Sequence, residues 1–274
     1  MSTALLQQSG FYAFTSGELF LQLVKDTNRT KAVVILPPFA EEMNKSRHLL
    51  SSVMRQLAAS GTSCFMLDNY GTGDSAGDLD TASSAIWRAD LMQLLTMLRD
   101  EGYSHVSFIA VRFGSLQLFD LLNHAELPLQ PHQIVLWQPM FDLAKFWQQF
   151  ARIKVAEAMA KGEKLSQKAL EQQLDNGETL EIAGYPISPA FYHSLLQMQC
   201  QLPQVLPQFT LSWFETSQLD STALPVQKML EQLGAQQKIS YVQLKAEPYW
   251  QTAELASADA LIALSIQQLT AGGV

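Results

Sequence analysis

The stretch Phe108-Ile109-Ala110-Val111-Arg112-Phe113-Gly114-Ser115 decides the fold. It joins an apolar run of strand character, His105 to Ala110, to a segment in which Leu116, Phe119 and Leu122 recur at helical spacing. A strand, a tight turn and a helix in mid-chain form the setting of the G-x-S-x-G elbow, which holds a nucleophilic serine at its tip. Ala110 and Gly114, two residues either side of the apex, are small where strand and helix backbones approach closely. The apex itself is Arg112. An always-protonated guanidinium cannot be deprotonated to attack a carbonyl. The turn that carries a nucleophile is present, and the nucleophile is not.

Outward from this stretch, strands and helices alternate. Glu18 to Val24, apolar apart from Gln22, reads as an edge strand. Ala32 to Leu36 is continuously apolar, the pattern of a strand covered on both faces, and it stops at Pro37-Pro38. Leu49, Leu50, Val53, Met54, Leu57 and Ala58 predict a helix closed by Gly61. A strand from Ser63 to Leu67 leads into the loop Asp68-Asn69-Tyr70-Gly71-Thr72-Gly73-Asp74-Ser75-Ala76-Gly77, and a long helix spans Thr81 to Asp100. Beyond the elbow, Gln133 to Trp137 is a strand ended by Pro139. Phe209 to Phe214, a helix at Leu224 to Leu233, a strand at Lys238 to Leu244 and a helix at Ala253 to Leu269 complete the rhythm. The pattern predicts an α/β fold with a doubly wound, mainly parallel sheet.

Asp142 to about Pro207 breaks the alternation with helical patterns (Phe146, Phe150, Ile153; Ala169 to Leu174; Pro189 to Met198) around a turn-rich middle. We expect residues 1–141 and 208–274 to form the core, and residues 142–207 to form a helical cap over the carboxyl ends of the strands, where ligands of such sheets bind. Phe146, Phe150, Tyr185 or Phe191 are expected to give that cleft apolar surface.

With 274 residues, 47% hydrophobic and 16% charged, the chain can bury a large core. A formal net charge of −8 argues against nucleic-acid binding and against an anionic membrane surface. Cys64 and Cys200 have no metal-ligand spacing and read as buried, reduced thiols. No apolar run approaches the ~18–20 residues of a membrane span, and the N-terminus has no signal-peptide pattern, so a cytoplasmic protein is expected. No metal and no cofactor is expected: Gly71-x-Gly73-x-x-Ala76 nominally matches a dinucleotide fingerprint but does not follow the first strand.

Together, the Asp68 to Gly77 loop, the elbow and the insertion after Pro139 resemble the α/β-hydrolase fold, nearest in layout to its cap-bearing serine aminopeptidase and monoacylglycerol-lipase-like branch. Three segments further resemble the second type of exosortase A system-associated hydrolase: Pro37 to Arg47, the Arg-x-Gly elbow, and Ala183-Gly184-Tyr185-Pro186-Ile187-Ser188. That resemblance implies a bacterial locus for exopolysaccharide and protein sorting, whose machinery would supply partners.

Hydrolase chemistry must be asked of the residues separately. In the fold that the sequence resembles, the base is a histidine after the last strand. Here that loop is Lys245-Ala246-Glu247-Pro248-Tyr249-Trp250-Gln251, and no histidine follows His193. Asp220, or less readily Glu215, stands where the acid would come, with no imidazole to orient. Pro37-Pro38-Phe39 replaces the His-Gly oxyanion segment. Ser115 lies one turn into the helix, Ser75 and Asp74 belong to a turn-rich loop, and His48 and His193 are lone histidines that can reach the cleft. No residue is therefore assigned as catalytic; Glu41 and Asp220 are the acids that remain.

What is left is a charged set. Arg112 is expected to face the loop holding Glu41, Glu42, Asn44, Lys45 and Arg47, with Trp250 and other strand-end aromatics (Trp137, Trp213, Tyr249) nearby. In one reading Arg112 only pairs with Glu41 or Glu42, since a buried charge must be paired. In the other, Arg112, helped by helix amides and by Lys45 or Arg47, receives a phosphate or carboxylate under the cap, and a small anionic, acyl or sugar ligand is the expected partner. Both can hold. Two functions stay open: a non-catalytic protein that binds a ligand or partner, and a hydrolase or acyl transferase for esters or thioesters with a rearranged site.

Overall fold

The computed structural model describes residues 6–25, 31–124, 126–201, 209–234, 239–252 and 256–271. Its first strands are β1 (Leu6–Gln7), β2 (Gly10–Ala13), β3 (Glu18–Lys25), β4 (Lys31–Leu36) and β5 (Ser63–Leu67). β6 (His105–Val111), β7 (Pro131–Trp137), β10 (Thr210–Ser217) and β11 (Ile239–Lys245) follow in the main sheet, whose order is β1-β3-β5-β4-β6-β7-β10-β11, with β2 paired to β3. From β5 to β11 neighbouring strands run parallel, and β3 joins β5 antiparallel.

Glu18 to Val24 is therefore not an edge. β3 has β5 on one side and β1 and β2 on the other. Gln22, the polar residue that suggested an edge, is accommodated because its side-chain amide donates to Ser51 Oγ at 2.9 Å.

The central strands bury both faces, and their side chains alternate between two cores. Val106, Phe108 and Ala110 pack with α2 (Ser84–Asp100) and α3 (Phe113–His124). Ile109 and Val111 pack with α1 (Glu41–Ala59) and α8 (Asp259–Ala271). α7 (Leu224–Gly234) precedes β11. Residues 253–255 of the expected last helix lie outside the described residues.

Between β7 and β10 the chain leaves the sheet for α4 (Leu143–Ala160), α5 (Gln167–Asp175), the antiparallel hairpin β8 (Leu180–Ile182) and β9 (Tyr185–Ile187), and α6 (Pro189–Leu196). The turn-rich middle thus contains a hairpin, its two-residue turn formed by Ala183 and Gly184, both at positive φ. This insert shares a third core with strand-end residues Phe39, Phe113 and Met140.

Candidate functional site

The elbow has the backbone of a nucleophile turn. Arg112 has φ 53°, a left-handed conformation costly for a non-glycine residue, and its amide donates to Trp137 O at 3.0 Å. Gly114 explains why the helix can leave so sharply: a Cβ there would lie 2.1 Å from Leu36 O. Ser115 is buried inside the turn, where its hydroxyl bonds to Arg112 O and Met140 O and accepts from the Met140 amide. It braces the elbow and faces no open space.

The charged segment expected as a loop forms the first two turns of α1, because Ala40 (φ 53°) starts the helix directly after the prolines. Helical spacing then separates its members. Glu42 reaches Arg112 with both carboxylate oxygens, Nε to Oε2 at 3.1 Å and Nη2 to Oε1 at 2.9 Å. Glu41 does not meet the arginine; it accepts from Asn44, which also donates to Tyr185 Oη. Lys45 points to Gln251 O at 3.4 Å, and Arg47 holds Asp68 with two bonds of 2.9 Å. Of the residues proposed from sequence, Arg112, Glu42 and Trp250 come together, whereas Glu41, Asn44, Lys45 and Arg47 serve other contacts.

Trp250 stands over the guanidinium, with the Arg112 Cζ 4.7 Å from its ring centroid. The loop position expected for an imidazole thus presents a flat hydrophobic surface to a cation. Next to it Tyr249 is buried, and among the described residues neither its hydroxyl nor Trp250 Nε1 finds a hydrogen-bond partner. Trp137 is core, donating to Ser265 Oγ at 2.8 Å.

Asp220 is not the acid of this site. It is 88% exposed and pairs with Lys245 on the surface. The buried acid is Glu215, whose Oε1 accepts from Trp213 Nε1 at 2.6 Å. Burial pushes its carboxyl up to about 7, against the opposing pull of that hydrogen bond and of the Arg112 charge. Sequence reasoning ranks Glu215 second because strand position does not reveal burial. Its spacing from Trp213, two residues along one strand face, is the available signal.

Gln149 of α4 has no counterpart among the sequence candidates. Its Oε1 accepts from Arg112 Nη2 at 3.1 Å, tying the insert to the elbow. The hydrogen bonds of Arg112 among the described residues thus use Nε and Nη2, leaving Nη1 for another acceptor.

Arg112, Glu215, Trp213, Met140 and Cys200 floor a cavity of about 720 Å³, and its more exposed wall includes Leu143, Lys145, Gln149, Met198 and Met229. Phe146, Phe150, Tyr185 and Phe191 do not line it. They surround Phe39 at ring-centroid distances of 5.6, 5.2, 6.3 and 6.2 Å in an aromatic cluster. That cluster occupies the space beside the Pro37-Pro38-Phe39 loop, where two residues have no amide N–H to offer an oxyanion.

The remaining candidates are structural. Ser75 Oγ donates to Asp68 O, and Asp68 also accepts from the Asp74 amide, so the glycine loop wraps a carboxylate rather than a phosphate. A Cβ at Gly73 would lie 2.1 Å from Asp68 Oδ2. His48 Nε2 bonds to Ala256 O, His193 lies 3.6 Å from Asp175 on an exposed face, and His105 packs against His132. Both cysteines are free and buried, and burial pushes the Cys200 thiol up to about 12. Among the described residues no cluster suited to a metal ion occurs, and no helix is long and apolar enough to cross a membrane.

No protein-family model matches the sequence, and no curated protein matches it. Solved structures do. Est1E from Butyrivibrio proteoclasticus superposes with a TM-score of 0.62 at 10% identity, covering 96% of each chain. The proline iminopeptidase-related protein from Thermus thermophilus gives 0.60 at 15% identity, over 97% of this chain and 98% of that one. Alpha/beta hydrolase domain-containing protein 10 from mouse gives 0.55 at 13%, over 96% of each. At these identities the fold is what is shared. The chain has the α/β-hydrolase fold.

Proposed function

We propose that this protein binds a small acyl- or sugar-bearing ligand in the cavity beside Arg112, and that it does so without serine-hydrolase chemistry. One observation carries the reading. The residue in nucleophile-elbow conformation is an arginine, clamped by Glu42 and Gln149 through Nε and Nη2, and it lines a large cavity. In this proposal residues 142–207 act as a cap on a core of residues 1–141 and 208–274. The resemblance of the Pro37 to Arg47 and Ala183 to Ser188 segments supports a cytoplasmic role beside bacterial exopolysaccharide and exosortase machinery, as a partner or as a carrier of one of its small molecules. A panel of p-nitrophenyl esters and thioesters with a fluorophosphonate probe tests the non-catalytic half. No turnover and no labelling are expected. A thermal-shift screen with acyl and glycosyl compounds tests the binding half.

The second reading, a hydrolase or acyl transferase with a rearranged site, is favoured by Glu215 alone. A carboxyl poised near 7 at the cavity floor has the pKa of a general base that can draw a proton from water. Ester turnover abolished by Glu215→Gln would establish that reading over the first.

A further inference from the structure

We infer that the cavity selects an uncharged head group with acceptor oxygens, carried on an apolar body, and rejects anions, with Glu42 as the residue that sets this selectivity. The inference rests on the binding reading above and deepens it. Arg112 alone would attract a carboxylate or phosphate, but its charge is already matched by Glu42 at 2.9 and 3.1 Å. The charged groups lining the cavity are Arg112 and Lys145 against Asp142 and Glu215, and Glu42, which does not line it, adds a third carboxylate through its ion pair with Arg112. Lys145 lies at the rim, 4.0 Å from Asp142, so it is not available as a second cation at the floor. An anion at the Arg112 guanidinium would meet a cation already matched by Glu42, in a cavity whose lining also carries the buried Glu215 carboxylate, so like-charge repulsion opposes it.

An uncharged acceptor meets no such opposition. Nη1 carries two N–H donors and can bind the lone pairs of an amide, ester, lactone or hydroxyl oxygen. The rest of the lining suits an aliphatic or aromatic body: Met140, Phe141, Leu143, Met198, Trp213 and Met229. Unbranched thioether side chains adapt to irregular apolar shapes. Leu196, half exposed at the wall, extends the apolar surface toward solvent.

The test uses three probes with one tail and different heads, octanamide, octanoate and octyl phosphate, titrated at pH 8 and followed by tryptophan fluorescence, since Trp213 lines the cavity. Octanamide should bind, octanoate about tenfold or more weaker, and octyl phosphate weakest, as like-charge juxtaposition dictates. Glu42→Gln is isosteric, keeps one of the two acceptors and removes the charge, and should raise octanoate affinity about tenfold or more relative to octanamide. Tighter binding of octanoate or octyl phosphate than of octanamide by the unaltered protein would overturn the inference and leave cavity binding intact. An unchanged ratio in a folded Glu42→Gln protein would remove Glu42 from its role. Failure of all three probes to bind would overturn the binding reading itself, and the inference with it. The ranking in the unaltered protein decides the matter even if the variant does not fold.

Discussion

Arg112 meets both carboxylate oxygens of Glu42, at 2.9 and 3.1 Å, from the apex of a turn whose geometry belongs to nucleophiles. The pair explains why an arginine can occupy that turn. Its side chain is 9% exposed and Glu42 29%, so the cation is desolvated and the carboxylate still touches water. The ion pair is therefore weaker than a fully enclosed one, but removing one partner strands the other.

Restoring a serine should not restore hydrolysis. Arg112→Ser places a hydroxyl at the apex, but the loop that would bring an imidazole brings Trp250, and a serine without a base is a weak nucleophile. Because Glu42 reaches solvent, the lost pair should cost about 1–3 kcal/mol rather than the ~3–5 of a fully buried one. Thermal melting and fluorophosphonate labelling check this. Labelling of the introduced serine at unchanged melting temperature would contradict it.

The elbow, the alternation of strands and helices, and the insertion were legible because each leaves a local mark: Gly114 beside an apolar run, proline at strand ends, a change of periodicity after Pro139. The Arg112–Glu42 pair was half legible, since burial demands a partner but two adjacent glutamates offered one. Only the helical phase of α1 sends Glu42 to the elbow and turns Glu41 toward Asn44. Glu215 was legible only as the second choice of acid and Gln149 not at all, because burial and a contact across 37 residues are tertiary facts. β3 was misplaced because a single glutamine suggested solvent where Ser51 supplies the hydrogen bond.

Gly114→Ala should be among the most damaging single changes in the molecule. The added Cβ meets Leu36 O at 2.1 Å and Leu36 C at 2.7 Å, both main-chain atoms of a central strand that cannot swing aside. Overpacking against backbone should cost roughly 3 kcal/mol or more. Gly10→Ala, with open space around it, should stay within about 0.5 kcal/mol and serves as the control. Urea unfolding of the two variants gives the comparison; equal midpoints would refute the close approach.

Phe39→Ala should loosen the attachment of the insert to the sheet. The Phe39 ring lies 5.2–6.3 Å from those of Trp87, Phe113, Phe146, Phe150, Tyr185 and Phe191, which join α2, the elbow and the insert. Truncation should cost about 3–5 kcal/mol through the cavity it leaves. Hydrogen exchange should rise first in α4 and α6. Uniform exchange across the chain with an unchanged melting temperature would show that the cluster does not hold the insert.

Glu215 should make stability fall as pH rises toward neutrality. Its carboxyl titrates near 7 when folded, against an unfolded value of about 4.3. Between those values the folded protein holds a proton that the unfolded chain has released, so stability decreases with rising pH across that window. Above about pH 7 both states are ionised and the loss, about 4 kcal/mol for a shift of this size, is complete. Asp90, raised by burial to about 6, acts in the same sense but is exhausted at lower pH. Glu215→Gln keeps an acceptor for Trp213 Nε1 and cannot ionise. The variant should match the unaltered protein near pH 4 and exceed it by about 4 kcal/mol at pH 8. The part of the slope between pH 6 and 7 should vanish, while the part due to Asp90 remains. Denaturant unfolding at unit pH steps measures both curves; parallel curves from pH 5 to 8 would show that Glu215 is ionised throughout.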